Sequence, residues 1–335
     1  MFVDKKFRLT IIIGIITIVV FSIIAICLGQ FKIRISDVFH ILLRQETNIK
    51  NAKIVIFNVR IPRILLSLIA GSGLAVAGAA FQCIFSNPLA TADTLGCANG
   101  ASFGAALGIL IGLNSIGVQF TALIMGLVAV LLVFIISKNT QKFSSSIMMV
   151  VLSGLVISSL FSSLVSLVKY VADPNDVLPV ITFWLMGSFS SATIKTLLIG
   201  SPCIILGIIV LYLMRYRLNV LSLPEDEAKS LGINLKFTRV IVIIAASLIT
   251  ASIVSLCGVI GWVGLLIPHI CRMLFGNNQC KVIPGCIVFG GLFMLIVDTI
   301  ARCISASEIP VSILTAIIGA PVFILLLRKK GGVQL

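Results

Sequence analysis

Between residues 240 and 275 the chain reads VIVIIAASLITASIVSLCGVIGWVGLLIPHICRMLF, a run whose one formal charge is Arg272. A membrane crossing takes about 20 apolar residues, so the run is too long for one helix and long enough for two. A break at Cys257-Gly258 leaves spans at 240–256 and 259–275. The same test, carried outward, finds eight more: 9–28, 62–81, 95–113, 118–137, 147–168, 196–214, 282–300 and 309–327. Charge-poor runs are a safe guide because a charge at mid-bilayer costs several kcal/mol. None of the ten carries an acid or a base in its middle. Composition agrees: 11% of the 335 residues are charged and mean hydropathy is +1.21, against about 25% charged in soluble domains. An ordinary soluble globule is excluded. The expected fold is an all-α polytopic membrane protein of about ten transmembrane helices, with residues 1–335 forming a single transmembrane domain.

The formal charge of +14 would raise nucleic acid as a partner in a soluble protein. Here the cations stand at the ends of apolar runs, so topology and lipid headgroups account for most of them, and no nucleic acid is expected. With the N-terminus inside, fifteen of the 25 Lys and Arg fall on the inner side and ten outside. Seven of those ten sit between the first two helices, in a basic segment spanning residues 29–61 and just beyond: Lys32, Arg34, Arg44, Lys50, Lys53, Arg60 and Arg63. An external basic surface suits an acidic partner, with lipid headgroups as the alternative. The run at 9–28 follows Lys5, Lys6 and Arg8 as a signal sequence does, but no A-x-A site follows it, so it is read as a retained first helix. Residues 173–191, with Pro174 and Pro179, are expected to form an external loop holding a short re-entrant or interfacial helix. Nine scattered cysteines without a CxxC, together with His40 and His269, offer no clustered metal site.

The longest inner loop, residues 215–239, contains Ser222-Leu-Pro-Glu-Asp-Glu-Ala-Lys-Ser-Leu-Gly232. Ser222 with Glu225 has capping-box spacing, Pro224 suits a first turn, and Glu225, Asp226 and Glu227 favour a helix N-terminus that Gly232 ends. Leu223, Ala228 and Leu231 would give this short helix a small apolar face for a soluble protein. A plain loop helix is the alternative. Gly100, Gly104 and Gly108 repeat on one helix face and permit close packing. No G-x-x-x-x-G-K-[ST] stands anywhere, so the chain cradles no nucleotide in that way.

These stretches together resemble the FecCD-type permeases, the membrane subunits of importers for iron-siderophore, haem and cobalamin. The resemblance is carried by Val59-Arg-Ile-Pro-Arg63, Gly71 to Gly78, Gln82, Asn87-Pro88-Leu-Ala90 and Leu95-Gly96 in the first half. In the second half it rests on Glu225 to Gly232, then on Gly258, Gly261, Gly264, Pro268, His269 and Arg272 in one continuous motif, and on Asp298-Thr-Ile-Ala-Arg302, Glu308-Ile-Pro310 and Gly319-Ala-Pro321. It covers nearly the whole chain. It implies a BtuC-like permease fold in a bacterial cell membrane with both termini cytoplasmic. It also implies a second permease subunit, copy or paralogue, two cytoplasmic ATPase subunits that carry ATP and Mg, and an external substrate-binding protein. Residues 223–232 resemble the coupling helix that docks on the ATPase. Arg60, Arg63 and Arg302 resemble positions that meet acidic residues of the binding protein. Ser144, Ser145 and Ser146, in the inner loop before the fifth helix, resemble the polar stretch that narrows the path at its inner end. This chain departs in having Pro224 for the usual Gly, Trp262 for the commoner Phe, and a more basic stretch from Lys32 to Lys53.

The function expected is therefore uptake of an iron(III)-siderophore by a transport subunit that is not itself an enzyme and holds no cofactor. Haem or cobalamin is the alternative cargo. A channel or secondary transporter working without an ATPase is the alternative class, though it would usually keep ionisable residues at membrane depth.

Overall fold

The computed structural model describes residues 5–29, 31, 33, 37–38, 40, 52–137, 143–223, 225–305 and 308–329. Every described element is helical, as a bilayer requires of backbone that must satisfy its own polar groups. The helices are α1 (Lys5–Cys27), α2 (Ala52–Ile84), α3 (Cys97–Leu110), α4 (Ser115–Ser137), α5 (Phe143–Val171), α6 (Val177–Leu185) and α7 (Ile194–Leu213). They continue as α8 (Arg215–Leu221), α9 (Glu225–Ser230), α10 (Leu235–Cys257), α11 (Val263–Phe275), α12 (Gln279–Ile304) and α13 (Val311–Lys329). Seven are long and apolar enough to cross, and α3, α11 and α13 are shorter apolar helices at the other expected spans. The short helix expected in 173–191 is α6.

Burial ranks the helices. In their most apolar stretches α2 and α10 are each 78% buried and α1 only 11%, so α2 and α10 form the centre and α1 lies at the rim. Small residues set the contacts. Gly100, Gly104 and Gly108 on α3 lie against Met125 and Thr121 of α4, as their four-residue spacing predicts.

Side chains and glycines place the helix ends. Asn234 accepts from Phe237 N–H at 3.1 Å to start α10, and Asn278 accepts from Cys280 N–H at 2.9 Å to start α12. Gly258 ends α10 with φ +72°, a conformation that costs glycine little. The second span of the opening run differs from expectation. It is helical only from Val263, and Trp262 holds φ +70° just before it. At about 1.5 Å per residue, the 13 residues of α11 reach only about 20 Å, short of a hydrocarbon core of about 30 Å. Residues 258–262 precede it outside any helix. The carbonyl of Cys257, the last residue of α10, accepts from Ser188 N–H at 2.8 Å, while Val311 N–H bonds Gly187 O at 2.9 Å.

Further differences concern length. The second span begins ten residues early, so part of the expected external segment is the first turns of α2, and residues Val55–Arg60 wind as a π-helix. Of the basic segment, Lys32, Arg34, Arg44 and Lys50 lie outside the described residues, as does Pro224.

Candidate functional site

The ends of α1, α2 and α12 bring the arginines together. Arg63 Nε donates to Asp298 Oδ1 at 2.8 Å and Oδ2 at 3.1 Å, and its Nη1 donates to Glu308 Oε1 and Oε2 at 2.7 and 2.8 Å. One guanidinium thus serves two carboxylates in forked geometry. Arg302, one helical turn after Asp298, stands 4.0 Å from its Oδ2 and donates to the carbonyl of Ala25. Arg60 donates to the carbonyls of Ile26 and Phe31. The last carbonyls of a helix lack intrahelical donors and carry negative partial charge, so Arg60 and Arg302 together close the end of α1.

This arrangement corrects the expectation that these arginines offer an exposed docking surface. Arg60 is 3% exposed, Arg63 4% and Arg302 5%, and each donates to groups of this chain. A chain met as a string cannot show this, because Arg63 and Asp298 lie 235 positions apart. Reversing Arg63 would set a new carboxylate against two existing ones and threaten the fold before it weakened docking. The charges that the expected spans carry away from their middles, Arg63, Arg272 and Asp298, are buried within helices, as is Arg302 just beyond the expected span 282–300. At the same end of the bundle, Lys53 and Lys195 are exposed.

The opposite end carries α8 and α9. The Ser222 hydroxyl donates back to Asn219 O at 2.7 Å. Glu225 and Asp226 belong to α9, with side chains outside the described residues, and Glu227 is exposed. Ala228 is buried at 1% while Leu223 and Leu231 are 42% and 58% exposed. The expected apolar face is therefore split: Ala228 fastens α9 to the bundle and the two leucines face outward. Gly232 turns with φ +71°, ending the helix as expected. Asn219, which sequence reasoning did not single out, bonds Gln279 N–H at 2.7 Å through its carbonyl oxygen.

Beside α8, Gln82 near the end of α2 donates to Gly264 O at 3.2 Å and accepts from Arg272. These three motif positions join α2 to α11. His269 is buried and meets Phe323 of α13 edge-on at 5.5 Å. Asn87 accepts from Leu89 N–H at 2.9 Å in the turn that contains Pro88. Pro268 and Pro321 lie inside α11 and α13, and Pro310 precedes α13. Ser144, Ser145 and Ser146 stand in the first turn of α5 rather than in a loop, with side chains outside the described residues.

A set of exposed hydroxyls lies further along α5. Ser159, Ser162, Ser163 and Ser166 are all exposed, at spacings of three and four that put them on one face. Ser163 and Ser166 donate back to Ser159 O and Ser162 O at 3.0 and 3.1 Å, but their oxygens remain open. Polar faces on membrane helices turn toward protein or water rather than lipid. The helical spacing of these serines was legible in the sequence.

Residues 16–329 match the model of the FecCD transport family. Over 323 residues, 95% of each chain, the protein is 40% identical to the molybdate import system permease protein MolB of Haemophilus influenzae. It is 35% identical over 295 residues, 88% of each chain, to a permease protein assigned to iron chelatin transport in Helicobacter pylori. A transporter assigned to the metal-chelate ABC type, solved in an inward-facing conformation, superposes with TM-score 0.88 at 37% identity, covering 96% of this chain and 100% of that one.

Proposed function

Since the chain belongs to the FecCD transport family and is a membrane-spanning permease of the ABC-importer type, we propose that it imports an iron(III)-siderophore complex handed over by an external substrate-binding protein. Two ATPase subunits on the side of α8 and α9 drive the step, with ATP and Mg bound to them and not to this chain. A second permease subunit, a copy or a paralogue, completes the path against the serine face of α5. In this reading the N-terminus, the C-terminus, α8 and α9 are cytoplasmic, and the arginine end is external.

The observation that carries the proposal is the uncharged hydroxyl face of α5. A chelate hides its metal inside an organic shell, so a wide, neutral, weakly binding wall passes it while affinity stays with the binding protein. The iron chelatin relative supports that cargo. Molybdate is a second reading, favoured by the name of the 40% identical relative. Purifying the cognate binding protein and measuring its ligand by mass spectrometry and metal analysis separates them. Iron with an organic chelator is expected; molybdenum alone would overturn the siderophore reading. Uptake into vesicles without any ATPase would instead support a channel.

Docking follows from the exposed cations. Replacing Lys53 and Lys195 together by Glu is expected to weaken binding-protein affinity several-fold at low salt and little at high salt, since rim charges act through a screened field. Thermal stability should hold, because both side chains are exposed. Equal affinity of variant and parent at low salt would remove these lysines from the docking surface.

A further inference from the structure

Asn219 and Asp298 mark the two ends of α12. At one end Asn219 Oδ1 accepts from Gln279 N–H at 2.7 Å, and its amide donates to Asn278 Oδ1 at 3.0 Å. Gln279 is the first residue of α12 and Asn278 its N-cap, so a residue of α8 holds the backbone start of a different helix. The chain then runs from α8 through three residues to α9. At the other end Asp298 and Arg302 enter the ion cluster with Arg63. The 26 residues of α12 extend about 39 Å at 1.5 Å per residue. Pro284 opens one ladder bond near the capped end, and residues 285–304 contain no other proline. Along its middle, α12 is fastened to α2 where Ser72 Oγ donates to Ile287 O at 2.6 Å and the backbones of Gly71 and Gly290 touch.

We infer that α12 is the rod that carries movement between the α8–α9 segment and the arginine end, with Asn219 the positioning residue that fastens the segment to it. A bond to a backbone N–H at a helix start displaces the helix axis, whereas a bond to a surface side chain is absorbed by rotamer change. The inference rests on the importer reading above, which makes α8–α9 the ATPase side and the arginine end the binding-protein side.

The test uses the full transporter, with its ATPase and loaded binding protein, reconstituted in vesicles. It reads the ratio of ATP hydrolysis with loaded binding protein to that without. Asn219→Leu, which favours the helix at least as well but has no acceptor, is expected to lower this ratio at least fivefold. Asn219→Asp keeps the acceptor and should restore most of it. Combining Asn219→Leu with Asp298→Asn should lower the ratio no further than the worse single variant, although sites this far apart normally act additively. Overturning results are an unchanged ratio in Asn219→Leu, no rescue by Asn219→Asp, additive loss in the double variant, or both rates falling by one factor. No stimulation in the unmodified transporter would overturn the importer reading, and this inference with it.

Discussion

Asp298→Asn is expected to destabilise the protein by about 3–5 kcal/mol, the usual cost of removing one partner from a buried ion pair. The carboxylate is fully buried and is the partner Arg63 and Arg302 share. Asparagine fills the same space and can still accept a hydrogen bond, but it leaves two buried guanidinium groups with one carboxylate, Glu308, between them. In detergent the melting temperature should fall by about 5–10 °C. Glu308→Gln should cost far less, about 1 kcal/mol, because that side chain is 30% exposed and water can take its place. A melt of Asp298→Asn within about 1 °C of the parent would show that the cluster is solvated and that its arginines are available to a partner after all.

That contrast bears on what a string of residues can disclose. The helices were legible because the bilayer punishes charge along a whole crossing, and the break at Cys257-Gly258 was legible because 36 apolar residues fit no single helix. Local signals stopped there. Nothing around Trp262 announces a residue at φ +70°, and the surface its side chain packs against, at Gly319 of α13, is distant in sequence. The arginines show the same limit more sharply. Their motif was recognisable and their types suit acidic partners, but the acids that engage them belong to this chain and arrive from the far end of it. Ala228 was read on an exposed face because helical spacing cannot tell which side of a short helix meets the bundle. The serine face of α5 was legible by spacing, and passed over because serines in an apolar run are ordinarily absorbed by back-bonding to the helix.

The burial of Arg60 and Arg302 against the end of α1 also assigns that rim helix a purpose. With only 11% of its apolar stretch buried, α1 has little packing to hold it, and the lipid around it is as apolar as its own side chains. Charged donors on its terminal carbonyls anchor it at one end. Gly14, whose added methyl would strike Val288 of α12, allows close approach midway. The arginines thus serve as a frame that ties the end of α1 to α2 and α12.

The glycines of the motif divide by the same kind of reasoning, and here a large effect is expected from one methyl group. A side chain at Gly78 would meet the carbonyl, carbon and Cα of Gly264, all backbone, where α2 crosses α11. Neither helix can rotate that obstacle away, so Gly78→Ala should cost at least the about 1–3 kcal/mol typical of overpacking, seen as loss of the monodisperse peak on size exclusion and an early melt. At Gly261 an added Cβ meets nothing within 4 Å, and its backbone avoids the left-handed region. Gly261→Ala should therefore fold as well as the parent or slightly better, by the about 0.4–1 kcal/mol that a stiffer unfolded chain contributes. Equal damage from both would refute the close crossing of α2 and α11. If Gly261→Ala folds but no longer supports ATP-driven uptake, then Gly261 serves motion rather than packing. It lies in the non-helical stretch before α11, between Gly258 and Trp262 at φ +70°, where a change of backbone angle would swing that helix and the Arg272–Gln82 link with it.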